Sequence, residues 1–65
     1  MRIELNGEPR EIASDTIAAA LDELGFQPAR VATALNGAFV PGSARAGQAL
    51  KDGDRLEVLA PMQGG

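Results

Sequence analysis

The sequence predicts a single α+β domain in which a mixed sheet of two hairpins and a final strand wraps around one helix. Three observations support this prediction. Two Asn-Gly dipeptides each separate two short strand-like segments, one segment between the dipeptides has a helical period, and an alternating segment lies near the end of the 65 residues. A chain of this length has room for one small domain with a thin core.

The first hairpin is predicted at the start of the chain. Ile3 and Leu5 alternate with charged residues in "RIELN", which is the two-residue period of a half-buried strand. Asn6-Gly7 suits both central positions of a type I′ turn, so we expect the chain to fold back into "EPREI". Pro9 has no amide hydrogen for a strand ladder, and this second strand is therefore expected at an edge of the sheet.

The helix is predicted from about Thr16 to Leu24. Its apolar residues recur at spacings of three and four and form one stripe, which consists of Ile17, Ala20, Leu21 and Leu24. A residue of "SDT" is expected to cap the first turn, and Gly25 is expected to end the helix. Asp22 and Glu23 are interpreted as part of a solvated face.

The remaining elements are a second hairpin, a crossover and a last strand. Asn36-Gly37 joins "VATAL" to "AFV". "GSARAGQAL" has little periodicity and is interpreted as an irregular crossover with about one helical turn. "RLEVLA" then alternates as the last strand. Such a crossover allows the last strand to lie parallel to the first, and the complete arrangement is the β-grasp topology.

Composition narrows the possible functions. The chain has no cysteine and no histidine, which removes a thiolate nucleophile, the usual zinc ligands and the usual general base. A net charge of −3 and only two aromatic residues argue against nucleic acid as a partner. The sequence shows neither a signal peptide nor a membrane span. We therefore expect a cytoplasmic protein that is not an enzyme and binds no metal or cofactor.

The end of the chain, "MQGG", has no apolar period. Gly64 and Gly65 weaken helices and strands, so they do not complete a packed element. We predict a β-grasp domain over residues 1–60 and a flexible tail over residues 61–65. One interpretation of the tail is a frayed terminus. Another is a reactive Gly65 carboxylate, since residues without Cβ pass a narrow channel and this tail spans at most about 17 Å when extended.

Five segments of the chain, in order, are similar to those of a known family: "MRIELNGEP", "TIAAALDELG", "VATALNGAFVP", "DGDRLEVL" and "QGG". With this series the chain resembles the ThiS-type sulfur carriers of thiamine biosynthesis over essentially its whole length. The resemblance implies a ubiquitin-like β-grasp fold. One segment departs from the family pattern, because Pro41 is usually followed by Arg and then by an aromatic residue, whereas Gly42 follows here. Arg45 is the candidate replacement for that arginine.

The resemblance also implies the chemistry of Gly65. A ubiquitin-activating-like (ThiF-like) adenylyltransferase uses ATP to adenylate its carboxylate. A sulfur donor such as a cysteine persulfide displaces AMP to leave a thiocarboxylate, and a ThiG-like thiazole synthase accepts the sulfur. Gly64, Gln63 and Met62 are then the tail residues threaded into the partner. The carrier itself is a co-substrate.

Other functions share parts of this pattern. The small subunit of molybdopterin synthase has the same fold and a Gly-Gly end, but its family tends to be longer. A ubiquitin-like modifier joined to lysines through Gly65, or a non-covalent interaction module, is the alternative from another class.

Outside the tail, Leu59 and Phe39 are the predicted partner contacts. Leu59 should face away from the core residues Leu56 and Val58, since successive side chains of a strand point to opposite faces. If Leu59 and Phe39 share the outer sheet face with Ala32 or Ala34, they form an apolar patch beside the tail.

Overall fold

The computed structural model describes residues 1–60, which form a five-stranded mixed sheet, one α-helix and two 3₁₀ segments. The elements follow in the order β1 (Arg2–Leu5), β2 (Glu8–Glu11), α1 (Ile17–Glu23), η1 (Pro28–Arg30), β3 (Ala32–Leu35), β4 (Ala38–Val40), η2 (Gly42–Gly47) and β5 (Arg55–Leu59). The strand order in the sheet is β2-β1-β5-β3-β4. The predicted α+β fold is confirmed.

Strand β5 lies at the centre of the sheet. It pairs in parallel with β1, with Leu5 opposite Leu56, and antiparallel with β3, with Thr33 opposite Val58. The first and last strands are therefore adjacent and parallel, as the β-grasp topology requires. Strand β2, which contains Pro9, lies at one edge of the sheet, as the missing amide hydrogen predicted.

Both hairpins have the predicted turns. The φ angles are 50° and 86° at Asn6 and Gly7, and 51° and 86° at Asn36 and Gly37. Two successive positive φ angles define a type I′ turn, whose twist matches that of the flanking strands. Asparagine and glycine are among the few residues that adopt this conformation at low cost, so the two dipeptides determine where the strands reverse.

Helix α1 begins and ends as the sequence predicted. The hydroxyl of Thr16, its N-cap, accepts a hydrogen bond from the amide of Ala19 at 3.2 Å. Gly25 follows the helix with a φ of 85°, and the amide of Phe26 donates to the carbonyl of Leu21 across it. This is the pattern of a Schellman motif. With only seven residues in α1, no helix within residues 1–60 is long and apolar enough to cross a membrane.

Glu23 is exposed, as the predicted solvated face requires, and its carboxylate also makes hydrogen bonds that its sequence context did not indicate. Its carboxylate accepts hydrogen bonds from the Ser14 hydroxyl at 2.6 Å and from the amides of Ser14 and Ala13, each at 3.0 Å. These bonds, the Ser14 hydroxyl first, lower the pKa of Glu23. These hydrogen bonds join the last turn of α1 to residues 13–14, which precede the helix.

The core lies between α1 and the inner face of the sheet. Its buried apolar residues are Ile3, Leu5, Ile12, Ile17, Ala20, Leu21, Val40, Leu50, Leu56 and Val58. In β5 the buried residues alternate with exposed ones, so this strand presents one apolar face to the helix and the other to solvent.

Candidate functional site

The outer face of the sheet carries an exposed apolar patch, formed by Leu59, Phe39, Ala32 and Ala34. Leu59 is 65% exposed and Phe39 is 70% exposed. The strand register places Ala32 opposite Leu59 and Ala34 opposite Phe39. The two alanines lie on β3 between the larger side chains, so the patch continues across β5, β3 and β4. Leu59 faces away from the core, as strand alternation predicted.

Charged residues occupy the other half of the same sheet face. Glu4 on β1 lies opposite Arg55, and Glu57 lies opposite Ala34. Together with Gly7 these residues line a shallow groove. Within residues 1–60, no group of three or more acidic, histidine or cysteine side chains is placed to hold a metal ion. The outer face therefore carries apolar side chains on β3, β4 and the end of β5 and charged side chains on β1 and the rest of β5, which suits contact with a protein surface.

The apolar patch lies where the chain leaves the sheet. Strand β5 ends at Leu59, which belongs to the patch, and Ala60 is the last residue that the structure describes. The predicted tail residues Met62, Gln63, Gly64 and Gly65 lie outside the described part of the chain.

Arg45 supports the hairpin that carries Phe39, a role that sequence reasoning missed. Its side chain is buried, and the guanidinium donates to the Thr33 hydroxyl at 3.0 Å and to the carbonyls of Pro28 and Val31 at 2.8 and 2.6 Å. The Thr33 hydroxyl in turn donates to the Val40 carbonyl at 2.7 Å. All three acceptors of Arg45 are neutral oxygen atoms. The only sequence signal for this role is that Arg45 is the one charged residue in "AFVPGSARAGQAL".

The two turn asparagines also bond to β5, which their sequence context did not indicate. The side-chain oxygen of Asn6 accepts from the backbone amide of Val58 at 2.8 Å, and its side-chain nitrogen donates to the Val58 carbonyl at 3.1 Å. Asn36 accepts from the amide of Arg55 at 2.8 Å and donates to the Asp54 carboxylate at 3.1 Å. Each end of β5 is thus held by the side chain of one turn residue.

Asp54 is a buried carboxylate whose charge is stabilised by hydrogen bonds. It accepts from the Asn36 side chain and from the amide of Lys51, the latter at 2.8 Å. These bonds, that from Asn36 first, lower the pKa of Asp54 below its ordinary value of 3.8. Since the folded state binds this proton less tightly than the unfolded state, the ionised carboxylate contributes to stability at neutral pH.

Acid is therefore expected to destabilise the fold partly through Asp54. The contribution is complete above pH 3.8 and is lost as the pH falls through the lower pKa of the folded state. Asp54→Asn should lower the free energy of unfolding at pH 7 and reduce its further loss between pH 5 and pH 2, as measured by urea unfolding. An identical pH dependence in both proteins would contradict this role.

Comparison with known proteins identifies the family. A model of the ThiS family matches residues 3–65. The chain is 43% identical over 61 residues to the sulfur carrier protein ThiS of Thermus thermophilus, covering 94% of this chain and 95% of that protein. It is also 44% identical over 66 residues to a thiazole synthase of Paramagnetospirillum magneticum, covering all of this chain but only 20% of that protein. This chain therefore spans about a fifth of that relative's length and nearly all of the Thermus carrier.

Solved structures agree with this assignment. The crystal structure of the thiamine biosynthesis protein ThiS from Geobacter metallireducens is 30% identical, with a TM-score of 0.86 and full coverage of both chains. The solution structure of a thiamine biosynthesis protein from the same organism has a TM-score of 0.82 at 30% identity, covering all of this chain and 88% of the other. Family match, sequence identity and fold agree, and the chain therefore belongs to the ThiS family of sulfur-carrier proteins.

Proposed function

We propose that this protein carries sulfur for thiazole formation in thiamine biosynthesis, as a thiocarboxylate on Gly65. The observation that carries the proposal is that the family match extends through residue 65. Gly64 and Gly65 therefore belong to the matched sequence. The carrier acts as a co-substrate, and the thiocarboxylate is a nucleophilic sulfur atom held on a covalent tether. The proposed location is the cytoplasm, which a cysteine-free chain favours.

The proposed cycle begins with activation, because a carboxylate is a poor electrophile. An adenylyltransferase joins the Gly65 carboxylate to AMP and releases pyrophosphate from ATP. A persulfide sulfur displaces AMP, and a thiol then reduces the acyl disulfide to leave the thiocarboxylate. Met62, Gln63 and Gly64 enter the partner's active site, where exclusion of water protects the adenylate from hydrolysis.

The proposed sulfur acceptor is a thiazole synthase. The supporting observation is that a segment similar to this whole chain makes up a fifth of the Paramagnetospirillum protein, which is named as a thiazole synthase. Joining a carrier to its acceptor in one chain raises their effective concentration. We propose that in this protein the apolar patch makes the corresponding contact with the synthase, because the patch adjoins the end of β5, from which the tail continues.

The sulfur-transfer proposal is tested by intact mass. The purified chain is incubated with ATP, a sulfide source and the cognate adenylyltransferase. The mass should rise by about 16 Da when sulfur replaces oxygen. A methionine sulfoxide adds nearly the same mass, so the product must also be labelled with a reagent specific for nucleophilic sulfur. An unchanged mass with an adenylyltransferase of demonstrated activity contradicts the proposal.

The patch proposal predicts that Leu59→Asp weakens binding to the synthase. Loss of one apolar anchor and burial of a charge should reduce the affinity by at least about tenfold. The free energy of unfolding should change by less than about 0.5 kcal/mol, because Leu59 is mostly exposed. Titration calorimetry and urea unfolding measure the two effects.

Ala19→Asp is the matched control, since it adds the same charge on the exposed side of α1, away from the outer sheet face. It should leave the affinity unchanged. Equal losses of affinity in the two variants, or a large loss of stability in Leu59→Asp, would contradict the assigned role of the patch.

A further inference from the structure

Strand β5 extends further toward the tail than the backbone of its neighbour β1. Strand β1 ends at Leu5, and the chain then turns away into β2. The last backbone contact on this side is the amide of Asn6, which donates to the Leu56 carbonyl at 3.0 Å. The next β5 residue that faces this side is Val58, and no strand residue remains to pair with it.

The side chain of Asn6 takes the place of that missing strand residue. Its oxygen accepts from the Val58 amide at 2.8 Å, and its nitrogen donates to the Val58 carbonyl at 3.1 Å. A carboxamide offers a donor and an acceptor side by side, as a peptide group does. Val58 is the penultimate residue of β5, so these two bonds lie at the base of the segment that leads to Gly65.

We propose that Asn6 is a positioning residue for the reactive C-terminus. By pairing both backbone groups of Val58, it holds the β1 side of the end of β5, while Ala32 of β3 lies opposite Leu59 on the other side. Asn6 thereby helps to set the point and direction in which the following residues leave the domain. The inference rests on the proposed function, because the tail must reach an active site while the body docks outside. Asn6 touches no reacting atom and acts through Val58.

The physical consequence is entropic. When Asn6 does not pair with Val58, the end of β5 samples other conformations. Each residue that must then be ordered on docking lowers the fraction of encounters with the adenylyltransferase in which Gly65 reaches the active site. Ordering one backbone residue corresponds to a factor of about ten in an equilibrium constant. We therefore expect the loss of this side chain to lower the rate of Gly65 modification by about tenfold.

The second turn provides a matched control. Asn36 has the same φ within one degree, is also followed by glycine, and also uses both ends of its side chain. It accepts from the amide of Arg55 in β5 and donates to the carboxylate of Asp54, which directly precedes the strand. It holds the opposite end of the strand, at Arg55, whereas Asn6 holds Val58. Glycine at either position accepts a positive φ, so Asn6→Gly and Asn36→Gly both keep their turns. Both substitutions also add similar conformational entropy to the unfolded chain and therefore lower the stability by similar amounts through that effect.

The experiment compares the wild type, Asn6→Gly and Asn36→Gly. Hydrogen exchange of the Val58 amide is followed by NMR in the free proteins. The kcat/KM of the carrier in thiocarboxylate formation is measured with adenylyltransferase, ATP and sulfide. Asn6→Gly should speed hydrogen exchange of the Val58 amide and lower kcat/KM by about tenfold. Asn36→Gly should change kcat/KM by less than about twofold. This difference is expected even though Asn36→Gly loses a bond to the buried Asp54 and therefore costs at least as much stability.

Equal effects of the two variants on kcat/KM would overturn the inference while the proposed function stands. So would an unchanged kcat/KM in an Asn6→Gly protein whose Val58 amide exchanges faster than in the wild type. A wild-type chain that is not sulfurated at all contradicts the proposed function and this inference together. If Asn6→Gly does not fold, Asn6→Asp replaces it. Aspartate can still accept from the Val58 amide, but it has no hydrogen to donate to the Val58 carbonyl, and the two oxygen atoms repel each other. Asn6→Asp should therefore also lower kcat/KM relative to Asn36→Gly.

Discussion

Deletion of Gly65 is expected to abolish sulfur loading while leaving the free energy of unfolding unchanged. The deletion moves the terminal carboxylate onto Gly64 and shortens the reach of the tail by about 3.5 Å, which is large compared with the distance tolerance of a reacting centre. Glycine has no side chain to contribute to packing, so its removal costs no buried apolar area. Adding one residue after Gly65 should have the same effect on loading.

Alkylation with a thiol reagent is the measurement that separates loading from oxidation. Met1 and Met62 each form a sulfoxide that mimics the expected gain in mass. The chain contains no cysteine, so a thiocarboxylate is its one ready sulfur nucleophile and a labelled product must be loaded at the tail. Labelling of the Gly65 deletion at the wild-type rate would contradict the carrier chemistry.

A residue with a Cβ at position 64 tests the need for two glycines. Gly64→Val restricts φ and adds a branched side chain to the segment that enters the partner. Loading should fall sharply, with the same stability as the wild type. The deletion and this substitution together distinguish the requirement for a terminal carboxylate from the requirement for a narrow tail.

Replacement of Arg45 by methionine is expected to lower the free energy of unfolding by a large fraction of its total. Methionine keeps much of the apolar stem but leaves the Thr33 hydroxyl and the carbonyls of Pro28 and Val31 without their donor. Two of these acceptors are backbone carbonyls, so a second substitution cannot remove them, and they stay without a hydrogen-bond donor. The expected cost is about 2–4 kcal/mol. A chain of this length has roughly 3–10 kcal/mol in total, so the variant should be marginally folded.

Urea unfolding of three variants decides whether geometry or charge makes Arg45 important. Arg45→Lys keeps the charge, but a single ammonium group cannot reproduce the planar fork that reaches three acceptors, and it should recover little stability. Arg30→Met removes an exposed arginine and should change the free energy of unfolding by less than about 0.5 kcal/mol. Wild-type stability in Arg45→Lys would show that charge alone suffices.

The sequence by itself determined the elements, because their signals are local, and the crossover before β5 indicated that the first and last strands are parallel. The positive φ angles of an Asn-Gly turn, the missing amide hydrogen of Pro9 and the two-residue period around Leu56 each depend on neighbouring residues along the chain. The same alternation correctly placed Leu59 on the solvent face. The Gly-Gly motif is likewise linear, and the family match extends through it.

Only the tertiary structure decided which polar side chains hold these elements together. Asn6 bonds a residue 52 positions away, Asn36 one 19 positions away, and Arg45 reaches back 12 to 17 positions to three different acceptors. Such contacts leave no period in the sequence, because they depend on where the chain returns in space. In a 65-residue chain, strand pairing brings distant segments within hydrogen-bond distance, and the turn asparagines thereby hold both ends of the strand that leads to the tail.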